Sequence, residues 1–112
     1  SSGLGRRAMA SQAAYCTAKA GMDQFSQCVA LEEAPHPHGA RIVSLAPGVI
    51  DTDMQVQLRA GDPAAFPDVG NFIGMKERGQ LTSPEAAATR ILSYLERADF
   101  GSKVVADVRD PA

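Results

Sequence analysis

The sequence predicts an α/β chain in which helices alternate with short, buried, parallel strands. Three observations carry this. Apolar residues recur at 3–4 spacing from about Ala13 to Glu33. A short apolar run, Arg41 to Ala46, stops abruptly at Pro47-Gly48. A helix start at Thr82-Ser83-Pro84-Glu85 is followed by a second short apolar run, Val104 to Val108. Helix, strand, helix, strand is the order expected of parallel strands joined by a helical crossover.

Each element has a local cause. Residues 1–12 are rich in Gly, Ser and Arg and read as a loop, with Arg6 and Arg7 as solvated charges. In the first helix Ala18, Met22, Phe25 and Val29 form one apolar stripe, expected to face the core. Tyr15, Lys19 and Ser26 lie on an adjoining face. Ala34-Pro35-His36-Pro37-His38-Gly39 ends the helix in a surface turn, with both histidines as bystanders. Ile42, Val43 and Leu45 make the next run a candidate buried parallel strand, which Ser44 interrupts. Ligands of open α/β sheets bind at the carboxyl ends of such strands, and glycine lets backbone approach a ring closely.

Beyond Gly48, Asp51 or Thr52 is expected to cap a helix starting near Asp53. The Gly- and Pro-rich stretch from Gly61 to Gly79 carries scattered apolar residues and reads as a substrate-covering segment. Ser83 is the expected N-cap of the next helix, with Pro84 at its first position. Ala87, Ile91, Leu92 and Leu95 are its expected buried face, and Asp99-Phe100-Gly101-Ser102 a turn before the last strand.

The chemistry-bearing feature is Tyr15-x-x-x-Lys19, with Ser2 thirteen positions before the tyrosine. On a helix, residues four apart are neighbours, so the ammonium lies beside the phenol. A phenol titrates near pH 10, too high for proton transfer at neutral pH, and a nearby cation favours the phenolate. The pair reads as an acid/base able to give a proton to a developing alkoxide. Ser2 can add a hydrogen bond to the same oxygen. The bare motif is weak evidence, since an exposed helical pair looks the same.

Its surroundings are more specific. Ser1-Ser2-Gly3, Tyr15-x-x-x-Lys19 with Ala20-Gly21-Met22-Asp23-Gln24-Phe25, and Arg41 through Ala46-Pro47-Gly48-Val49-Ile50-Asp51-Thr52-Asp53-Met54 occur in the order seen in short-chain dehydrogenases/reductases. The chain resembles that family over most of residues 1–60, and within it looks most like the sepiapterin reductase and benzil reductase branch. The resemblance implies a doubly wound, Rossmann-like parallel sheet. It makes residues 1–112 one partial domain, the C-terminal, catalytic half, with the N-terminal half missing. The family's G-x-x-x-G-x-G phosphate turn and its Asn-containing segment have no match here, and Ser1-Ser2-Gly3-Leu4-Gly5 does not have the turn's spacing.

The resemblance further implies a catalytic set of Ser2, Tyr15 and Lys19. Tyr15 would protonate the carbonyl oxygen, Lys19 would bind the nicotinamide ribose and lower the tyrosine pKa, and Ser2 would orient the carbonyl. Pro47, Gly48, Ile50 and Thr52 would line the nicotinamide together with Tyr15 and Lys19. The implied cofactor is NADP, with NAD possible, and the implied substrate a ketone or diketone. The implied assembly is a homodimer formed through the first helix. A non-catalytic helix-pairing scaffold on the same fold is the alternative, and an epimerase or dehydratase fits the short tail poorly. The 112 residues alone are expected to fold poorly and to be inactive, because half the sheet and the phosphate turn are absent.

Composition bounds the rest. With 45% apolar and 21% charged residues, the chain has the make-up of an ordinary globular domain. A net charge of −2 gives no reason to expect a nucleic-acid partner. No apolar run approaches membrane-spanning length, and no signal peptide is visible. Cys16 and Cys28 would lie roughly 18 Å apart along one helix, too far for a disulfide. Free thiols fit a cytoplasmic location. Two Cys and two His without finger or ribbon spacing give no expectation of a metal site.

Overall fold

The computed structural model describes Ser2, residues 10–48, Ile50, Gly70, Asn71, Ile73, Gly74 and residues 81–111. The expected helix near Asp53 and all but four residues of the expected substrate cover lie outside the described residues, as does Thr52.

Four elements follow in order: α1 (Ala13–Glu33), β1 (Ser44–Ala46), α2 (Pro84–Leu95) and β2 (Val105–Asp107). The strands pair in parallel, Ser44 with Val105, Leu45 with Ala106 and Ala46 with Asp107. Backbone bonds extend the pairing at both ends, from Ser44 N–H to Val104 O at 2.7 Å and from Val108 N–H to Ala46 O at 2.9 Å. Both strands are shorter than the apolar runs suggest. β2 turns away after Asp107, where the Asp110 N–H donates to Asp107 O at 2.9 Å, so β1 has a short partner.

α1 packs against both strands, but not through its apolar stripe. Asp23 and Ser26 are buried, while Met22 and Phe25 are 46% and 66% exposed. Tyr15, Lys19, Ala30 and Glu33 are half-buried on the same side as Asp23. The expectation that the Met22/Phe25 stripe faces this core is therefore wrong. Hydrogen bonding explains the inversion: the Ser44 hydroxyl donates to Asp23 Oδ1 at 2.6 Å, and Ser26 donates to Met22 O at 2.9 Å. Polar groups paired in this way can be buried at little cost. The helix ends where expected. Ala34 N–H reaches Ala30 O, Pro35 and Pro37 follow, and Glu33 Oε2 accepts from Ala40 N–H at 3.1 Å to hold the return of the chain.

α2 starts as expected, with Ser83 Oγ accepting from Ala86 N–H at 3.2 Å, Pro84 at the first position and Glu85 in the first turn. Its buried face is only partly the expected one. Ala87 is buried and Ile91 half-buried, but Leu92 and Leu95 are largely exposed and Tyr94 is buried instead. Tyr94 is held on two sides. The Phe100 ring meets it edge-on with centroids 6.0 Å apart, and the Arg97 guanidinium lies 4.6 Å from its centroid.

Arg97 also gathers the C-terminal segment. It donates to both Asp99 carboxyl oxygens, to Asp110 O at 2.8 Å and to Pro111 O at 2.9 Å. Asp110 Oδ2 accepts from Asp107 N–H and from Lys103, both at 2.9 Å. The Arg97 hydrogen bond holds the Asp99 carboxyl below its ordinary range. Asp110 is held low first by the Asp107 N–H and then by Lys103. Each carboxyl therefore titrates lower folded than unfolded. Its contribution is present above an unfolded value of about 4 and is lost as pH falls through the folded value. Acid melts should show the C-terminal turn weakening as pH drops from about 4. Asp99→Asn with Asp110→Asn should flatten that part of the profile.

Candidate active site

The candidate residues lie on two elements, the first two turns of α1 and the chain leaving the carboxyl end of β1. Tyr15 and Lys19, one helical turn apart, are both half-buried on the side of α1 that packs on the sheet. The Lys19 ammonium lies over the Tyr15 ring, 5.4 Å from its centroid. That is within cation–π range and puts a positive charge beside the phenol in a partly desolvated setting. The structure thus brings these two expected residues together. Ser2 is half-buried ahead of the helix, outside the regular elements.

The second group of candidate residues lies on the chain leaving β1. Pro47 and Gly48 are half-buried, and Gly48 has φ +84°, a conformation that disfavours any residue with a Cβ. Among the described residues, no atom lies within 4 Å of where a Cβ on Gly48 would stand. Close approach of a flat ring at the end of a parallel strand needs a residue without a Cβ at such a place. Ile50, also half-buried, forms a parallel bridge with Thr82 just before α2. The residues present therefore fit a nicotinamide at this end of the sheet.

Two buried polar residues at the centre were not singled out as functional from sequence. Asp23 lies one turn beyond Lys19 on the same face, and Ser44 opens β1. The available signal was Ser44 itself, since a hydroxyl within a buried apolar strand needs a partner. Cys16 and Cys28 are free thiols, half-buried and exposed respectively. Among the described residues no helix is long and apolar enough to cross a membrane, and no group of three His, Cys, Asp or Glu could hold a metal ion.

Comparison with known proteins places the chain in a family. The family model described as short chain dehydrogenase matches residues 1–63, more than half of the chain. Over 100 residues, or 89% of this chain and 40% of the relative, it is 45% identical to a benzil reductase ((S)-benzoin forming) from Bacillus cereus. It is 31% identical to a protein of the same name from Bacillus subtilis, over 92% of this chain and 42% of the relative. It is 34% identical to a sepiapterin reductase from Meriones unguiculatus, over 86% of this chain and 35% of the relative. The chain belongs to the short-chain dehydrogenase family. It spans about 40% of the length of the benzil reductases it matches.

The conformation of Gly48 makes a prediction independent of any ligand. Gly48→Ala should destabilise the folded protein by about 1–2 kcal/mol through backbone strain alone, because the added methyl meets nothing. Gly48→Asn should cost less. Denaturant melts of the two variants test this.

Proposed function

We propose that the protein containing this chain is an NAD(P)H-dependent reductase that converts a ketone or diketone to an alcohol. One observation carries the reading: Lys19 stands over Tyr15 on the sheet-facing side of α1, in a chain of this family. The names of the relatives, benzil reductase and sepiapterin reductase, favour a small, uncharged dicarbonyl or bicyclic carbonyl substrate.

In this reading residues 1–112 are the catalytic and substrate-side part of one domain. Tyr15 gives its phenolic proton to the carbonyl oxygen as negative charge develops there. The Lys19 ammonium stabilises the charge left on the tyrosine oxygen and hydrogen-bonds the nicotinamide ribose. Ser2 donates a hydrogen bond that orients the carbonyl. Pro47 and Gly48 form a flat wall for the nicotinamide, and the Ile50 backbone and Thr52 are assigned to its carboxamide by the family resemblance. When bound, the nicotinamide supplies the hydride. NADP is the preferred cofactor in this proposal. A cytoplasmic homodimer is proposed with it, supported by the exposed Met22 and Phe25 on α1.

The test is NADPH oxidation by the full protein with sepiapterin, benzil, isatin and a simple ketone. Turnover of at least one dicarbonyl is expected, falling by about 10²–10⁴-fold in Tyr15→Phe. A well-folded protein that binds no nicotinamide cofactor would sink the proposal. Lys19→Met should weaken cofactor binding and lower turnover together. Unchanged turnover at neutral pH in that variant would remove Lys19 from the mechanism.

A further inference from the structure

The Asp23–Ser44 hydrogen bond lies outside the proposed proton path, yet it is a buried side-chain link between the helix bearing Tyr15 and the strand ending at Gly48. It is short, 2.6 Å, and its two residues are 8% and 3% exposed. We propose that Asp23 and Ser44 are positioning residues: their hydrogen bond sets the axial and rotational register of α1 on β1, and so holds the Tyr15 phenol level with Gly48.

The geometry follows from helix and strand rise. α1 runs antiparallel to β1. Its C-terminal half lines a groove with Lys103, Val104 and Val105 at the amino end of the sheet, and Glu33 holds Ala40 just ahead of β1. Moving from Asp23 back to Tyr15 therefore travels toward the carboxyl end of β1. Eight residues of helix cover about 12 Å. Four residues of extended chain, from Ser44 to Gly48, cover roughly 13 Å. A tie at Asp23–Ser44 accordingly brings Tyr15 to the height of Gly48 and Lys19 to that of Ala46.

A tie is needed because the rest of this interface specifies little. The buried apolar residues of the strands are small, Ala46 and Ala106, and Met22, Phe25 and Leu31 of α1 are exposed. Small, smooth surfaces let a helix slide or turn with little loss of contact. A buried donor and acceptor that must meet allow one register, because any other leaves both unpaired. Displacement of a reacting group by about 1 Å can cost as much as 100-fold in rate.

The inference rests on the proposed reductase activity, and its test separates the two. Steady-state kinetics and cofactor binding are measured on the full protein carrying Ser44→Ala, Ser44→Thr, the pair Asp23→Leu with Ser44→Ala, and Tyr15→Phe. Ser44→Ala should lower kcat by about 10–100-fold while the Kd for NADPH stays within about threefold. Ser44→Thr, which keeps the hydroxyl, should recover most of the loss. The double variant leaves no buried group unpaired and so should melt close to the parent. Its kcat should nevertheless stay low. A parental kcat in the double variant, or a lower melting temperature in Ser44→Ala with kcat unchanged, overturns the positioning role while Tyr15→Phe remains inactive. If Tyr15→Phe is also fully active, the reductase reading itself has failed.

Discussion

The packing of α1 on the sheet depends on one buried hydrogen bond, from the Ser44 hydroxyl to Asp23. Without it, α1 would have little reason to turn a carboxyl and a hydroxyl toward the sheet and Met22 and Phe25 away from it. Apolar surface area alone favours the opposite rotation. The bond also makes that choice hard to reverse. Removing the donor would strand a buried carboxyl oxygen, at a cost of about 1–3 kcal/mol.

The rotation has a chemical consequence. Tyr15, Lys19 and Asp23 share one helical face, so whatever turns Asp23 inward also turns the tyrosine and lysine inward. The ammonium then stands over the phenol ring in a half-buried place, where charge is screened less than at an open surface. On the other side, the parallel pairing of β1 with β2 brings Pro47-Gly48 to the end of a strand. Gly48 has a positive φ there, and among the described residues nothing stands within 4 Å of where its Cβ would be. The Tyr15–Lys19 pair and the Pro47-Gly48 turn come from different elements, and a buried side-chain bond between those elements is made at Asp23 and Ser44.

The far side of the fold is held by different means. Arg97 combines a stacked contact on Tyr94 with hydrogen bonds to Asp99, Asp110 and Pro111. A planar guanidinium suits this use, since one rigid group supplies several donors and a face for an aromatic ring. These bonds fold the end of the chain back beside α2 and set where β2 stops. Their carboxylate and carbonyl partners are partly exposed, and ion pairs open to water contribute little, so these bonds shape the turn more than they stabilise it.

Local structure was written locally. The limits of α1, the Ser83 cap with Pro84, the Pro-rich turn after Glu33 and the turn at Gly101 all follow from residues within a few positions of each other, and each stands where its sequence predicts. The Tyr15–Lys19 pairing belongs to the same class, because four residues on a helix fix proximity without help from the rest of the fold. Which faces are buried was not legible in this way. The apolar stripe of α1 and Leu92 and Leu95 of α2 predicted inward faces that the structure leaves outside, while Asp23, Ser26 and Tyr94 are buried. Periodicity measures only how apolar a face is. The decision lay with partners distant in sequence, Ser44 for Asp23 and Phe100 with Arg97 for Tyr94, which meet only once the chain has folded.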